Sequence, residues 1–227
     1  QLVKKQVKRN KDDLSYKIDL GYIYSQNNES TKAEDIYKDV ISLLPDNQTF
    51  IRSTAAKFIG VRQLDYAIEC YLKGRELLKD KSLFGFELGN VYLQGNKIKE
   101  AVGTYLHLMN ENTIYKNSVQ SILTNNIEKE GLQDELEEQL YSLVQKNSAK
   151  TEYLELLIWL FTHQADYEQA LIQAKALDKR NQEDGGRIIQ LANDAIIEQQ
   201  YDAAIEAFIY VQSKGKVGRF FQLAKSG

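Results

Sequence analysis

The feature that most constrains the fold is a set of small and aromatic residues that recurs every thirty-four positions near the start of the chain. The three copies are Leu20-Gly21, Tyr24, Ala33, Tyr37 and Val40; Thr54-Ala55, Phe58, Ala67, Tyr71 and Gly74; and Leu88-Gly89, Tyr92, Ala101, Tyr105 and Leu108. A fixed period of this length is typical of solenoids, in which each unit packs mainly against its neighbours. The recurrence therefore predicts the architecture before any motif is considered.

The recurrence continues in the second half of the chain. Tyr167 and Ala170 return thirty-four residues later as Tyr201 and Ala204. Between the two sets lies a stretch of thirty-five residues, 116–150, whose apolar residues have helical spacing. We therefore divide most of the chain into six units. They are 14–47, 48–81, 82–115, 116–150, 151–184 and 185–218.

Each unit is expected to be a pair of helices joined by a short polar turn, such as 26–30 in the first unit. The single proline of the chain fits this expectation, because proline removes a backbone donor from a helix interior. Residues 1–13 are interpreted as the second helix of a truncated preceding unit. Residues 219–227 are interpreted as the start of a following repeat or as a capping helix. The sequence thus resembles a segment of a longer repeat protein.

The pattern resembles the tetratricopeptide repeat (TPR), a helix–turn–helix unit of the same period. Small and aromatic positions coincide in the first three units, and Pro45 stands where that family often closes a unit. Only Gly21 and Gly89 keep the glycine of the first helix. The resemblance implies an all-α fold, a right-handed superhelical solenoid of antiparallel helix pairs, with the first helices along a concave groove.

The unit that begins at Thr151 has a further resemblance. Its Trp159-Leu160-Phe161 and the run ALIQAKALDKR at 170–180 are similar to TPR proteins of Bacteroidetes bacteria, many of which are exported to the cell envelope. This resemblance implies a bacterial protein of the periplasm or cell envelope, with a cytoplasmic location as the alternative. The chain opens at Gln1 rather than at a methionine, so the lack of a signal peptide does not decide between them.

No pattern in the sequence predicts catalysis or a cofactor. His107 and His163 lie in different units, and no glycine-rich phosphate loop is present. Cys70 is the only cysteine, which excludes a disulfide within the chain and a cysteine metal cluster. It is expected to be a small packed side chain. We therefore expect a protein that is not an enzyme and that holds no cofactor and no metal.

The charge and hydropathy of the chain limit its partners. A net charge of −3 does not provide the basic face that nucleic-acid binding normally needs. No apolar run approaches the roughly 20 residues required to span a bilayer. The longest run, 156–161, is interpreted as part of a buried helix. We expect neither a nucleic acid nor insertion into a membrane by this segment, which leaves proteins and peptides as the partner class.

The candidate binding residues form a stripe on the first helices, beside the core positions. They are Ile18 and Tyr22 in the first unit, Arg52 in the second, Phe86, Asn90 and Leu93 in the third, Trp159 in the fifth, and Ile189 and Asn193 in the sixth. Amide groups of this kind can hold a peptide backbone, and aromatic side chains can anchor it. The alternative is that Phe86 and Trp159 are covered by adjacent helices.

Two functional hypotheses follow. The first is a non-catalytic scaffold that binds a peptide or protein segment in the concave groove. The alternative is a structural spacer or oligomerisation arm of a larger multi-repeat protein, with self-association through its helix ends. An enzyme would require a catalytic domain outside this sequence.

Overall fold

The structure is a computed structural model that describes residues 2–10, 13–146, 150–215 and 224–225. Over these ranges the chain forms thirteen α-helices and one short 3₁₀ helix, with no strand. The expected all-α fold is confirmed. The chain divides into two compact units, residues 1–115 and 116–227. Of the segment 219–227, interpreted as a following repeat, all but residues 224–225 lies outside the described residues.

The first unit contains a short leading helix and three helix pairs. The helices are α1 (Leu2–Arg9), α2 (Leu14–Gln26), α3 (Ser30–Ser42), α4 (Gln48–Gly60), α5 (Leu64–Leu78), α6 (Gly85–Gln94) and α7 (Ile98–Glu111). Helices α2 and α3, α4 and α5, and α6 and α7 pack against each other as antiparallel pairs. Successive pairs stack, since α2 also contacts α4 and α3 contacts α5. A 3₁₀ turn, Thr113–Tyr115, follows α7.

The second unit contains the remaining helices. They are α8 (Lys116–Asn126), α9 (Leu132–Lys146), α10 (Thr151–His163), α11 (Tyr167–Asn181), α12 (Gly186–Ile197) and α13 (Tyr201–Ser213). Two further close pairs, α10 with α11 and α12 with α13, follow α8 and α9. Helix α10 packs against both α9 and α11, and α11 stacks on α13. The apolar run is buried in α10 as expected: Leu157 and Leu160 have no exposed surface.

The turns within the five close helix pairs share one backbone geometry. In each of them the same position has a positive φ, and it is occupied by Asn28, Arg62, Asn96, Ala165 and Gln199. The amide of the next residue then donates to a carbonyl five residues earlier, as from Glu29 to Tyr24 at 2.9 Å. This is the bond that closes a helix in the Schellman motif. The position is occupied by arginine, alanine and glutamine, and not only by asparagine, which favours a positive φ. The packing of the two helices therefore contributes more to the turn geometry than the residue type at this position does.

The second helices of the six predicted units begin at the spacing of the sequence repeat. Their first residues are Ser30, Leu64, Ile98, Leu132, Tyr167 and Tyr201. Each predicted unit therefore contains two successive helices, while the division into units and the residues at which they begin and end stay a prediction. The assignment of α1 to a preceding unit is likewise a prediction; the helix packs against α2.

The recurring glycines of α2 and α6 accommodate tyrosine rings. A Cβ atom built at Gly21 would lie 2.4 Å from Tyr37 Cε1, and one at Gly89 would lie 2.5 Å from Tyr105 Cε1. Both tyrosines are buried. Each glycine thus leaves room for the tyrosine ring of the paired helix to pack directly against the backbone. The missing side chain is needed for this ring, and not only to bring the two helix backbones close together.

Candidate functional site

The candidate site is the surface formed by the first helices, and we call it the first-helix face. Here the first unit is the compact unit 1–115, where α2, α4 and α6 form the face, and the second is the compact unit 116–227, where α8, α10 and α12 form it. In the first unit, ion pairs link its three helices. Lys57 Nζ on α4 lies 2.5 Å from Asp19 Oδ1 on α2. Arg52 Nε on α4 donates to Glu87 Oε1 on α6 at 2.6 Å. These side chains fix the spacing of the helices while remaining in contact with solvent.

Arg52 has a second contact. Its guanidinium carbon lies 5.2 Å from the centroid of the Phe84 ring, a cation–π distance. The side chain is exposed, but it is held by the carboxylate of Glu87 and by this ring. Such a group is ordered before any ligand arrives, so that a ligand carboxylate or carbonyl would meet a donor already in position.

Asn90, Phe86 and Tyr22 are accessible on the same face. The Asn90 side chain is exposed, and its Oδ1 accepts a hydrogen bond from the buried Tyr105 hydroxyl at 2.8 Å. This bond orients the amide so that its NH₂ group is left for solvent or a ligand. Phe86 is half-buried and packs edge-on against Tyr115 at 5.5 Å. Tyr22 is 37% exposed.

Three residues predicted to line the groove are buried instead. The exposed fraction is 0% for Ile18, 4% for Leu93 and 7% for Ile189. Ile18 belongs to the hydrophobic core of the first unit. Aliphatic side chains on this stripe turn into the contacts between neighbouring helices, whereas the polar ones remain in water, because burial of apolar area is favourable and burial of an amide is not. The prediction was wrong for these three.

In the second unit, one carboxylate connects the three first helices. Glu155 on α10 forms an ion pair with Lys116 on α8. Its other oxygen, Oε1, lies 3.5 Å from Arg187 Nη2 on α12. The Arg187 Nε atom is in turn 3.3 Å from Glu183 Oε2, just before α12. The charges on this part of the face are therefore balanced within the face itself.

Trp159 lies one helical turn from Glu155 on α10. Its ring is half-buried and stacks on the imidazole of His163, with 6.2 Å between centroids and 29° between planes. Thr124 on α8 and Asn193 on α12 stand at the corresponding positions of their helices, and both are exposed. An indole between an exposed hydroxyl and an exposed amide can receive an apolar side chain and hydrogen-bond the backbone next to it.

Sequence reasoning missed the ionic links between helices. Glu87, Lys57, Lys116 and Arg187 were not among the candidates, yet each joins two first helices. A signal for them exists in the sequence: Arg52 and Glu87, like Glu155 and Arg187, are opposite charges separated by about one repeat. In a stacked array, that separation brings residues of adjacent first helices together.

The groups with potential reactivity are placed unfavourably for chemistry. Cys70 has no exposed surface, and burial raises the pKa of its thiol to about 12. His107 is exposed, with Nδ1 3.9 Å from Glu111 Oε1. Among the residues that the structure describes, no group of three or more His, Cys, Asp or Glu side chains could hold a metal ion.

Two clefts formed by the described residues are small. One of about 180 Å³ lies between α2 and α4 and is lined by Leu14, Phe50 and Thr54 among others. Another, of about 250 Å³, is lined by residues of the turn between α8 and α9. Both fall below the roughly 300 Å³ at which pockets for small ligands begin. None of the helices described has the length and apolarity required to cross a bilayer.

Comparison with known proteins gives distant structural similarities. The chain matches no family model, and no curated protein matches it in sequence. It is similar in structure to a Pseudomonas aeruginosa protein, pilF, with 14% identity over 94% of this chain and 96% of the other and a TM-score of 0.35. For a tetratricopeptide repeat protein of Parabacteroides merdae the identity is 11%, the coverage 93% and 96%, and the TM-score 0.36. For the TPR domain of P58(IPK) the identity is 13%, the match covers 97% of this chain and 66% of the other, and the TM-score is 0.30. Similarities at this level do not assign a function, which has to be argued from the surface.

Proposed function

We propose that this protein is a non-catalytic scaffold that binds a peptide or a protein segment along its first-helix face. The observation that carries the proposal is Trp159, a half-buried indole on α10, with exposed side chains, Thr124 and Asn193, at the corresponding positions of α8 and α12. Large aromatic residues surrounded by polar groups are enriched among the residues that dominate binding energy at protein interfaces.

The chemistry of the face indicates what kind of segment it would bind. Its charged groups are largely paired with each other, as Glu155 is with Lys116 and Arg187. A strongly charged ligand would have to break these pairs. An extended or helical segment with an apolar anchor for Trp159 and backbone groups for Asn193 fits better, because neither contact requires a net charge. In the first unit, Asn90 and Arg52 offer donors of the same kind.

The single tryptophan of the chain allows a direct test. The partner would be captured with the tagged full chain from an extract of the source cell, and its binding segment then titrated against the pure protein. We expect the indole emission of Trp159 to shift on binding. We also expect Trp159→Ala to weaken the binding by more than about 1 kcal/mol, a factor of five or more in Kd.

Ile172→Ala serves as the matched control. Ile172 is 54% exposed, but it lies on α11, a second helix outside the face. Its replacement should leave both the affinity and the circular dichroism unchanged. The binding site would lie elsewhere if the partner bound Trp159→Ala as tightly as the unaltered chain and left the indole emission of the unaltered chain unchanged.

The alternative role, an oligomerisation arm, is favoured by a different observation. Three large apolar side chains of α13, Tyr201, Ile205 and Ile209, are each more than half exposed. They lie on a second helix, away from the first-helix face, so that both roles can coexist in one molecule.

A further inference from the structure

Helix α1 carries positive charge along its exposed side. Its eight residues contain four cations and no acidic residue. We call these cations the α1 basic stripe: Lys4, Lys5, Lys8 and Arg9. All four are exposed, whereas Val3 and Val7 are half-buried on the opposite side of the helix, which packs against α2. The stripe therefore presents a purely cationic surface to solvent.

The charges of the stripe are not neutralised within the described part of the chain. Lys5, Lys8 and Arg9 form no ion pair with a described residue. Lys4 Nζ lies 5.2 Å from the centroid of the Tyr24 ring, which carries no charge. On the first-helix face, by contrast, the charged groups are largely paired with each other. Like charges three or four residues apart on a helix repel each other, so that a negative partner would relieve this repulsion.

The stripe is opposite in sign to the rest of the chain. The whole chain has a net charge of −3, although α1 contributes four positive charges, so that the remainder is strongly negative. Electrostatic attraction is screened beyond about 8 Å at physiological ionic strength. The eight residues of α1 extend over about 12 Å. A negative group is thus attracted at α1 and repelled over much of the remaining surface.

The side of α1 that carries the stripe corresponds to a side that the stacked helices leave open. Counted by the repeat period, the equivalents of the four cations lie on α3, and all are exposed: Lys38, Asp39, Ser42 and Leu43. Helix α3 has packing partners in its own pair and in the next, α2 and α5, and neither covers these residues. The single cation among them, Lys38, lies 3.7 Å from Glu34. Exposure is therefore shared by the two helices, whereas unpaired positive charge distinguishes α1.

The surroundings of the stripe favour an acidic polypeptide over a membrane surface. A helix that lies on a bilayer buries an apolar side among the headgroups. Val3 and Val7 are half-buried on the side away from the stripe, and Leu2 is the one apolar residue of α1 that is exposed. An anionic bilayer is also an extended plane, which would bring the negative remainder of the chain close to like charge. A short acidic segment contacts α1 without that repulsion.

We propose that the α1 basic stripe is a docking surface for a short acidic segment of a partner protein. Carboxylates that lie within about 12 Å of one another can pair with all four cations at once. Arg9 can hold a carboxylate through two parallel hydrogen bonds, and the lysines act as point charges. The stripe lies outside the first-helix face, so that loss of peptide binding in Trp159→Ala would leave this proposal intact.

Fluorescence anisotropy of labelled peptides, titrated with the full chain at low salt, tests the proposal. One peptide contains four consecutive glutamates. Its isomer has the same composition, with the four glutamates separated by glycine and serine. We expect the clustered peptide to bind at least about threefold more tightly, because its carboxylates fit within the length of α1. Added salt should weaken the binding, since the stripe is exposed.

A matched pair of double variants locates the binding. Lys8→Gln combined with Arg9→Gln removes two charges from the stripe and should raise the Kd by about tenfold. Lys179→Gln combined with Arg180→Gln is the control, because these two residues are also adjacent, exposed cations in the last turn of a helix, α11. The control removes the same net charge from the chain and should leave the Kd within about twofold. Circular dichroism verifies that both variants fold.

Four results would overturn the proposal. Equal weakening in the two double variants would mean diffuse attraction by the whole chain, and equal affinity for the two peptides would mean that the stripe does not select clustered charge. Binding to phosphatidylserine vesicles that the Lys8 and Arg9 variant loses, with no binding of either peptide, would place α1 at a membrane. Self-association that the same variant loses, detected by sedimentation, would make the occupant a second copy of this chain.

Discussion

At the scale of single residues, the contact between a glycine and a tyrosine ring determines how closely paired helices pack. Tyr105 lies against the backbone of Gly89, and its hydroxyl is fixed by the bond to Asn90 Oδ1. The ring cannot move aside without losing that bond. Because Asn90 is also a candidate binding residue, the packing of the core and the orientation of the site depend on the same side chain.

Gly89→Ala should therefore destabilise the protein. The added Cβ would lie 2.5 Å from two ring carbons of Tyr105, a distance that real contacts do not show. We expect the free energy of unfolding to fall by about 1–3 kcal/mol through overpacking, as measured by urea denaturation.

Gly60→Ala provides the control for this substitution. A Cβ at Gly60, the last residue of α4, would meet nothing within 4 Å. Here alanine should be neutral or should stabilise by up to about 1 kcal/mol, because it reduces the conformational freedom of the unfolded chain. Equal unfolding midpoints for the two variants would mean that the glycine–tyrosine contact does not constrain the fold.

The residues of the site illustrate what sequence can predict at this scale. The register placed Trp159, Asn90 and Asn193 on an accessible face, since their positions follow from the repeat. It failed for Ile18 and Ile189, which stand one helical turn earlier in their units, at the position that Arg52 occupies in the second unit, and are buried. At that position the isoleucines are buried while Arg52 is exposed, so that the register alone does not decide whether the position is accessible, and the residue type and the adjacent helix have to be considered as well.

At the scale of helices, a buried carboxylate joins α11 to α13. Asp178 has no exposed surface, and its Oδ2 accepts hydrogen bonds from the Tyr210 hydroxyl at 2.7 Å and from Lys214. Its Oδ1 has no hydrogen-bond partner among the described residues. The hydrogen bond to Asp178, together with burial, raises the pKa of Tyr210 to about 12, with burial as the larger cause. The last two second helices are thus held together by a charge that depends on its partners.

Lys214→Met should weaken this connection strongly. Removing one member of a buried ion pair leaves the other charge without compensation, at a typical cost of about 3 kcal/mol. Combining it with Asp178→Asn removes the isolated charge, and the double variant should be more stable than Lys214→Met alone. Urea denaturation of the unaltered chain, Lys214→Met, Asp178→Asn and the double variant gives the coupling energy.

The exposed pair of Lys97 and Asp65 is the matched control. Its atoms are 2.7 Å apart, but the two side chains are 41% and 73% exposed. Lys97→Met should therefore cost less than about 1 kcal/mol. If it destabilised the protein as much as Lys214→Met does, burial would not be the reason for the strength of the Asp178 connection.

Helix boundaries also show the limits of prediction from sequence. In the unit predicted to begin at Ser82, the first helix, α6, begins three residues later at Gly85. The intervening loop is closed by the Arg75 guanidinium, whose Nε donates to the Leu83 carbonyl oxygen at 2.7 Å, and by Phe84 at a φ of 58°. Residues 82–84 are thus held in a loop by a hydrogen bond from the preceding helix, and α6 begins after them. The period predicts that a helix is present, while a tertiary contact decides where it begins.

At the scale of the whole molecule, the two compact units contain three and two close helix pairs, respectively, and each buries apolar side chains of its own. Tyr37, Phe58 and Tyr105 are buried in the first unit, and Leu157 and Leu177 in the second. The recurrence in the sequence runs through both units and predicted one continuous array. It did not predict the division at residue 115, because the period repeats the positions of helices and says little about how many contacts link one pair to the next.

The two units should therefore fold independently. In repeat proteins, stability is close to a sum of contributions from each repeat and from contacts between neighbours. We expect the fragments 1–115 and 116–227 each to show a helical circular dichroism spectrum and one cooperative thermal transition, with a lower midpoint than the full chain. A fragment 1–97 provides the comparison, because it ends between α6 and α7 and removes Tyr105 from Gly89. That fragment leaves α6 without its paired helix and should lose both the cooperativity and the helix content of the third pair. Equal melting of 1–97 and 1–115 would show that the helix pair is not the unit of stability in this chain.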